Sequence, residues 1–325
     1  MKKRAIITGI SGFVGGFLTE RLLLTGRQVL GFSPDGEWLP TSPATVQDRV
    51  ELSRWNFLES QNDAAIRQTI ERFAPEVVYH LAAMSVPADC GEEEPTDNAV
   101  QVNVEGTRRV VEAVLAAAPA ARLVFISSSH VYAPVDPTGL RVTESSPVEP
   151  VRGYGKTKLA AERIVLEAVE KRGLDAVIAR AFQHSGPRQT GRMMLPEWIE
   201  QIVGSDTDPI RIHTRDALID LLDVRDVVCA YELLAETGTC GTVYNVGSGK
   251  VSRTGDLIDR LLEMAKVDRE VIETRPGLKQ DPIADITRIE KDTAWRPVFT
   301  VDHTLSDTLA WWQENREAVK NFKKM

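Results

Sequence analysis

Over about the first 180 residues, short runs rich in β-branched residues alternate with longer segments that are apolar on one helical face. This alternation is typical of a parallel sheet covered by helices on both faces. The candidate strands are Arg4–Thr8, Gln28–Phe32, Val77–Leu81, Leu123–Ser127 and Asp175–Arg180. The candidate helices between them are Phe13–Leu24, Asp63–Phe73, Asp97–Ala117 and Tyr154–Glu170. Val77–Leu81 and Leu123–Ser127 are nearly continuous apolar runs, as strands buried on both faces require.

Beyond residue 180 the pattern loosens, and Pro- and Gly-containing turns interrupt the chain. The helices expected there are Leu195–Val203, Val224–Glu236, Gly255–Ala265 and Val301–Glu317. A short apolar strand, Val243–Val246, is expected to rejoin the first sheet. We therefore predict a first domain over 1–180, joined again by 217–250, and a smaller α/β domain over 181–216 and 251–325.

Composition restricts the classes of partner. The chain has 325 residues and a formal net charge of −8, which gives no electrostatic reason to expect nucleic acid or an anionic membrane as partner. No window reaches the ~18 uninterrupted apolar residues of a membrane span. Cys90, Cys229 and Cys240 have neither disulfide density nor metal spacing, so we expect reduced thiols, no metal and a cytoplasmic protein.

A glycine-rich turn, Thr8–Gly15, directly follows the first strand and opens the first helix. Gly9 would allow the tight turn, Gly12 the close approach of a diphosphate, and Gly15 close packing of helix on sheet. The helix N-terminus offers free N–H groups and a partial positive charge to phosphates. We therefore expect a dinucleotide to bind at Gly9, Ser11, Gly12, Phe13 and Gly15. The expected fold class is α/β, a Rossmann-type doubly wound parallel sheet with a smaller C-terminal α/β substrate-binding domain.

The end of the second strand bears on the choice between NAD and NADP. A carboxylate there favours NAD, and a nearby arginine favours NADP. Ser33 occupies the position expected to contact the ribose and is neutral, so the sequence leaves NAD and NADP both open. Asp35 could reach the ribose hydroxyls, but a role as a turn residue explains it equally well.

Tyr154 and Lys158 are four residues apart at the start of a strong helix candidate, so they share one helical face. A phenol titrates near pH ~10, too high for proton transfer at neutral pH. Lowering its pKa by ~3 units requires about 4 kcal/mol. One ammonium at ~4.5 Å with an effective dielectric of ~20 supplies nearly that much. The alternative is an ordinary helical pair, with the tyrosine packed and the lysine solvated.

Serines follow the strand Leu123–Ser127. Ser128 and Ser129 lie at a carboxyl end, where substrates bind in open parallel sheets. A hydroxyl there could hydrogen-bond a sugar oxygen and the phenol together, although turn capping is the commoner role for a serine.

The chain resembles the extended short-chain dehydrogenase/reductase family, the NAD-dependent epimerases, dehydratases and reductases of nucleotide sugars. The resemblance covers nearly the whole length, and within the family the second half is most similar to GDP-4-keto-6-deoxy-mannose reductases. The segments that carry it are Thr8–Gly15, His80–Ala83, Asn103–Thr107, Ser127–Tyr132, Tyr154 with Lys158, Arg180–Pro187, Asp223–Asp226, Tyr244–Gly249, Arg275-Pro276 and Trp295–Pro297.

The resemblance implies a role for each matching position. Tyr154 would be the general acid/base, Lys158 its electrostatic partner, and Ser128 the hydroxyl that orients the sugar oxygen. Asn103 would help to relay protons. The remaining implied contacts are Leu81, Ala82 and Ala83 along the cofactor groove, Arg275 at the substrate diphosphate, and Ser129, His130 and Gln183 in the substrate pocket.

Three positions depart from the family pattern. His130 stands where dehydratases carry an acidic residue, which disfavours a 4,6-dehydratase; it would be a substrate-pocket contact or a structural histidine. Gln183 replaces the usual asparagine. Ile219 stands where the family often has an arginine that binds phosphate, and Arg211 or Arg215 could substitute for that arginine.

The leading hypothesis is an NAD(P)-dependent reductase of a 4-keto-6-deoxy-hexose on a nucleoside diphosphate, with GDP favoured. The alternatives are a nucleotide-sugar 4-epimerase with tightly held NAD and a non-catalytic cofactor-sensing protein. Because family members pair through such helices, we expect Asp97–Ala117 and Tyr154–Glu170 to form a homodimer interface.

Overall fold

The computed structural model describes residues 3–39, 42–59, 62–136, 139, 141–189, 192–205 and 207–316. The strands in chain order are β1 Arg4–Thr8, β2 Gln28–Ser33, β3 Glu51–Arg54, β4 Val77–His80, β5 Arg122–Ser128, β6 Arg141–Val142, β7 Ala176–Ala181, β8 Gln183–Ser185, β9 Ile210–Ile212, β10 Ala217–Ile219, β11 Leu221–Asp223, β12 Val243–Val246, β13 Ser252–Arg253, β14 Val271–Glu273, β15 Lys279–Gln280 and β16 Ile283–Ala284. The helices are α1 Phe13–Leu24, α2 Ala44–Gln47, α3 Asp63–Phe73, α4 Asp97–Ala99, α5 Gly106–Ala117, α6 Gly153–Arg172, α7 Met194–Gly204, α8 Val224–Thr237, α9 Thr254–Ala265, α10 Thr287–Thr293 and α11 Val301–Glu314. Pro87–Cys90 and Ser129–Val131 form 3₁₀ turns, and Val100–Glu105 is π-helical.

A seven-stranded parallel sheet in the order β12-β7-β5-β4-β1-β2-β3 forms the centre of the fold. Strands are added on one side from β1 to β3 and on the other from β4 onward, so the order reverses between β1 and β4. The carboxyl ends of strands form a ligand crevice at such a switch point. The predicted doubly wound α/β fold is confirmed.

Apolar side chains bury both faces of the sheet. On one face the core includes Leu18 and Leu22 of α1 and Val227 of α8. On the other face it includes Ile66 of α3 and Val110 of α5. Apolar side chains cover both faces, which explains why the central strands are apolar at nearly every position.

Among the differences from the sequence-based expectation, two concern the central sheet and the helices that cover it. β3 was not predicted, because an edge strand needs no apolar run and Glu51–Arg54 is only partly buried. The expected helix Asp97–Ala117 is interrupted by the π-helical turn, a feature that often marks functional sites.

A second core packs α7, α9 and α11 with the short strands of the chain's later half. Ala217, Ile219 and Leu221 belong to this second core, whereas Leu222, α8 and the strand residues Tyr244 and Val246 pack against the first. Val243–Val246, expected to rejoin the sheet, pairs in parallel with β7. The end of the predicted helix at Glu317, and residues 317–325 of the predicted second domain, lie outside the described residues. The domain boundaries stay predictions.

Across the described ranges, no helix is both long and apolar enough to span a bilayer.

Candidate active site

The glycine turn is shaped by close backbone contacts. Gly9 has a φ of +74°, and a Cβ on it would lie 2.7 Å from the amide nitrogen of Ala82. A Cβ on Gly15 would lie 2.5 Å from the carbonyl oxygen of Gly9. Neither position tolerates a side chain, so the turn brings β1, α1 and the segment after β4 together.

The N-terminus of α1 fits the diphosphate of a dinucleotide. Gly12 is its N-cap, no side chain caps the helix, and the first turn carries no acidic residue. The first N–H groups therefore keep their hydrogen-bonding capacity and the positive end of the helix dipole is uncompensated. Ser11 is half-buried and Gly12 exposed beside it, while the ring of Phe13 stacks on His184 with centroids 6.3 Å apart.

The expected groove residues Leu81, Ala82 and Ala83 follow β4 and meet the same turn. Leu81 N donates to the carbonyl of Thr8 at 3.1 Å, and Ala82 N approaches Thr8 Oγ1 at 3.4 Å. All three are partly exposed along the crevice.

His80 holds this edge together, although the sequence analysis assigned it no role of its own. Its Nδ1 lies 2.7 Å from Thr8 Oγ1, and its Nε2 lies 3.0 Å from Thr107 Oγ1. Burial lowers the pKa of His80 to about 3, so the ring is neutral and ties β1 and β4 to α5. The one available signal was a polar residue at the end of an otherwise apolar strand.

The hydroxyl of Ser33 forms hydrogen bonds within the turn that follows β2. It is buried, its hydroxyl donates to Asp35 Oδ1 at 3.0 Å, and it accepts from Gly36 N at 3.0 Å. The N–H of Glu37 also donates to Asp35, and this bond keeps the pKa of the Asp35 carboxyl below its usual value. Both side chains thus bond within the turn, and the expected contact of Ser33 with the ribose stays a prediction.

Ser128, His130 and Tyr154 come together at the carboxyl end of β5. A Cβ on Gly155 would lie 2.2 Å from the carbonyl oxygen of His130, so glycine is needed for the turn Ser129–Val131 to pack against α6. The hydroxyl of Ser128 lies 3.1 Å from His130 Nδ1. The His130 ring meets the Tyr154 ring edge-on with centroids 5.5 Å apart. Ser129 is buried directly beside them.

Burial shifts the pKa of both Tyr154 and Lys158. Burial raises the pKa of Tyr154 to about 12, against the opposing effect of a hydrogen bond from Ser128. Burial also lowers the pKa of Lys158 to about 8, and its Nζ lies 4.5 Å from the centroid of the Phe125 ring. Desolvation of the phenolate raises this pKa, so the expected acidification of the phenol by Lys158 stays a prediction. The phenol holds its proton at neutral pH.

Asn103 lies in the π-helical turn and its side chain is fully bonded. Its Oδ1 accepts from Met84 N at 2.8 Å, and its Nδ2 donates to Met84 O at 3.1 Å and to Thr157 Oγ1 at 3.0 Å. Thr157 lies on α6 between Tyr154 and Lys158. These bonds fix the position of α6 against the loop after β4, and the expected proton relay through Asn103 stays a prediction.

The substrate-pocket residues are only partly brought together. Gln183 Nε2 donates to Asp281 Oδ2 at 3.0 Å, and Lys279 pairs with the same oxygen at 3.1 Å. Burial lowers the pKa of His130 while the Asp281 carboxylate acts to raise it. Arg275 is exposed, and among the described residues its side chain makes no hydrogen bond or ion pair. Asp281 was missed because nothing in its local sequence marks it.

The comparisons with known proteins agree with this geometry. Residues 5–247 match the model of the NAD dependent epimerase/dehydratase family. The GDP-6-deoxy-D-mannose reductase of Pseudomonas aeruginosa is 28% identical over 322 residues, which cover 96% of this chain and 98% of that protein. The dTDP-6-deoxy-L-talose 4-dehydrogenase (NAD(P)(+)) of Kitasatospora kifunensis is 30% identical over 98% of this chain and 93% of that protein.

Solved structures give the same result. The structure of RMD from Pseudomonas aeruginosa complexed with NADPH has a TM-score of 0.80 and 27% identity, covering 97% of this chain and all of that one. A dTDP-glucose 4,6-dehydratase from Bacillus anthracis in complex with NAD has a TM-score of 0.86 at 21% identity, over 98% and 99% of the two chains, and shows the fold alone. The resemblance stated from the motifs is confirmed: the chain belongs to the NAD dependent epimerase/dehydratase family and is an enzyme of the extended short-chain dehydrogenase/reductase type that uses NAD or NADP.

Proposed function

We propose that the protein is an NAD(P)-dependent reductase of a 4-keto-6-deoxy-hexose carried on a nucleoside diphosphate, with a GDP-linked sugar as the favoured substrate. The observation that carries the proposal is the cluster of Ser128, His130 and Tyr154 at the carboxyl end of β5, with the phenol in its protonated form. The similarity to a GDP-6-deoxy-D-mannose reductase along nearly the whole chain supports the choice of substrate.

The chain's own residues supply the proton and the orientation. The cofactor, when bound, supplies the hydride to the carbonyl carbon. Tyr154 donates its phenolic proton to the carbonyl oxygen as that oxygen gains negative charge, and Ser128 holds the oxygen by a hydrogen bond. A phenol whose pKa is raised to about 12 carries its proton at neutral pH but is a weak acid, so the donation requires that Lys158 stabilise the phenolate that remains.

The protonated phenol also supports a reductase over an epimerase. A 4-epimerase first oxidises a sugar hydroxyl, so its tyrosine must begin the cycle as a base. Burial of Tyr154 opposes that starting state, which favours the reductive direction.

The test is turnover by the purified protein with NADPH or NADH and a panel of GDP-, dTDP- and UDP-linked 4-keto-6-deoxy sugars. We expect consumption of reduced cofactor, and we expect Tyr154→Phe to lower kcat by about 10²–10⁴-fold with cofactor affinity retained. Tyr79→Phe is the matched control, because Tyr79 is equally buried and its hydroxyl has no partner in the described structure. Stoichiometric bound NAD with interconversion of 4-epimers would identify the epimerase instead. Cofactor binding without reduction or epimerisation of any sugar would identify a non-catalytic, cofactor-sensing protein.

Two further expectations stay predictions: a homodimer through α5 and α6, and a cytoplasmic location. Leu115 and Leu166 on these helices are only partly buried within one chain. Analytical ultracentrifugation of the purified protein tests the dimer.

A further inference from the structure

A buried carboxylate lies one helical turn beyond Lys158 and has no part in the chemistry proposed so far. Glu162 is 1% exposed. Its Oε1 accepts hydrogen bonds from Ser127 Oγ at 2.5 Å and from Arg180 Nε at 3.0 Å, and its Oε2 accepts from Arg180 Nη2 at 2.8 Å. Both carboxylate oxygens therefore accept hydrogen bonds from buried donors.

Fold stability alone is a weak reason for this arrangement. Removing two charges from water costs several kcal/mol for each ion, and a buried ion pair seldom contributes more than packed apolar residues would. Because α6 already packs through Ala161 and Val165 into the core, the carboxylate is not needed to fill space there.

The position of Glu162 relates it to Lys158. Residues four apart on a helix lie about 6 Å apart at Cβ. The other groups around the ammonium carry no negative charge at neutral pH: the Phe125 ring is apolar, burial keeps His80 neutral, and burial raises the pKa of the Cys90 thiol. Tyr154, one turn earlier, is a protonated phenol. Among the described residues that act on Lys158, Glu162 is therefore the one charged carboxylate.

We infer that Glu162 is a positioning residue that keeps Lys158 protonated, and that Arg180 and Ser127 hold its carboxylate in place. This inference rests on the proposed function for its consequence in catalysis, since an uncharged Lys158 could not stabilise a phenolate. The electrostatic effects agree: burial lowers the pKa of Lys158 to about 8, and Glu162 is the first group that opposes the lowering.

The titration of Lys158 tests the inference without a substrate. In protein labelled with ¹³C-lysine, the Lys158 Cε signal is followed against pH and is identified by its absence from Lys158→Met. We expect the midpoint to fall by about one to two pH units in Glu162→Gln, from a Coulomb interaction over ~6 Å at an effective dielectric of ~20. The matched control is Glu232→Gln on α8, which removes a carboxylate equally buried against arginine, 2.6 Å from Arg21. Its Lys158 midpoint should equal that of the wild type.

An unchanged Lys158 midpoint in folded Glu162→Gln overturns the inference. If that variant fails to fold, the double variant Glu162→Gln/Arg180→Gln replaces the ion pair with two neutral amides. Its midpoint should also fall, by less, because the repulsion from Arg180 is lost as well; a midpoint at or above the wild-type value overturns the inference.

With an active substrate, the basic limb of the kcat/KM profile should move by the same interval in Glu162→Gln. Absence of wild-type turnover on every sugar would refute the proposed function, whereas the Lys158 titration would still decide independently whether Glu162 keeps the ammonium charged.

Discussion

Lys158→Met should stabilise the fold while it abolishes turnover. Lys158 is 3% exposed, and burial lowers its pKa from the usual 10.5 to about 8. At about 1.4 kcal/mol for each pKa unit, this difference corresponds to about 3 kcal/mol by which the charged form is disfavoured in the folded state. Methionine has a similar length and carries no charge, so it keeps the contact with the Phe125 ring without that penalty.

The gain should depend on pH in a defined direction. Because the folded-state pKa lies below the unfolded one, the unfolded chain binds more protons between about pH 8 and 10.5, and the wild type gains stability as pH rises through that interval. Below it, Lys158 is charged in both states and the full penalty applies. The advantage of Lys158→Met should therefore approach about 3 kcal/mol at neutral pH and shrink towards zero near pH ~10.5.

Urea denaturation without added cofactor measures this difference directly. Lys156→Met is the matched control, because Lys156 lies two residues away on the same helix but is partly exposed and paired with Glu94. Its free energy of unfolding should change by less than ~1 kcal/mol. A Lys158→Met variant that is less stable than the wild type at neutral pH, or whose gain does not vary with pH, would refute the assignment of a desolvated ammonium at this position.

Two other substitutions test the local geometry. Gly155→Ala should lower the free energy of unfolding by about 1–3 kcal/mol in urea denaturation and should lower kcat, since its Cβ would lie 2.2 Å from the His130 carbonyl oxygen. Gly16→Ala is the control, because a Cβ there has nothing within 4 Å and should be neutral or slightly stabilising. Equal stability of the two variants would contradict the packing described. His130→Asn keeps a hydrogen-bonding group near Ser128 but cannot titrate. Because burial lowers the pKa of His130 below the usual 6.5, the wild-type kcat/KM should fall only when the pH drops below 6.5. The variant should lose this acid limb, and its persistence would show that another group is responsible.

The elements that could be predicted from the sequence are those whose signal is local. The central strands are buried on both faces, so each is an apolar run, and α1 and α3 begin and end at the expected residues. β3 lies at the sheet edge and lacks such a run, so its strand conformation comes from pairing with β2. The π-helical turn has a tertiary cause as well, because Asn103 there bonds to Met84 and Thr157.

The candidate site divides in the same way. Contiguous motifs predicted the glycine turn and the helical pair of Tyr154 and Lys158, because spacing alone sets them. Partners far apart in sequence were not predictable. Gln183 and Asp281, for example, are 98 residues apart and form a hydrogen bond only in the folded protein. Ser33 was expected in the crevice, but its hydroxyl is bonded inside a turn that residue type alone does not specify.

Spacing also could not predict the pKa values of the proposed catalytic pair, because desolvation depends on every neighbour that excludes water. In this structure burial raises the pKa of Tyr154 to about 12 and lowers that of Lys158 to about 8. Each group is therefore held where its ionised form is disfavoured, at a cost to stability that the rest of the fold must offset. A site arranged for folding alone would not retain a buried lysine over an aromatic ring with a carboxylate one turn away. The penalty is explained if the phenol must hold its proton until the carbonyl oxygen gains charge, and if the ammonium must then be present to stabilise the phenolate that remains.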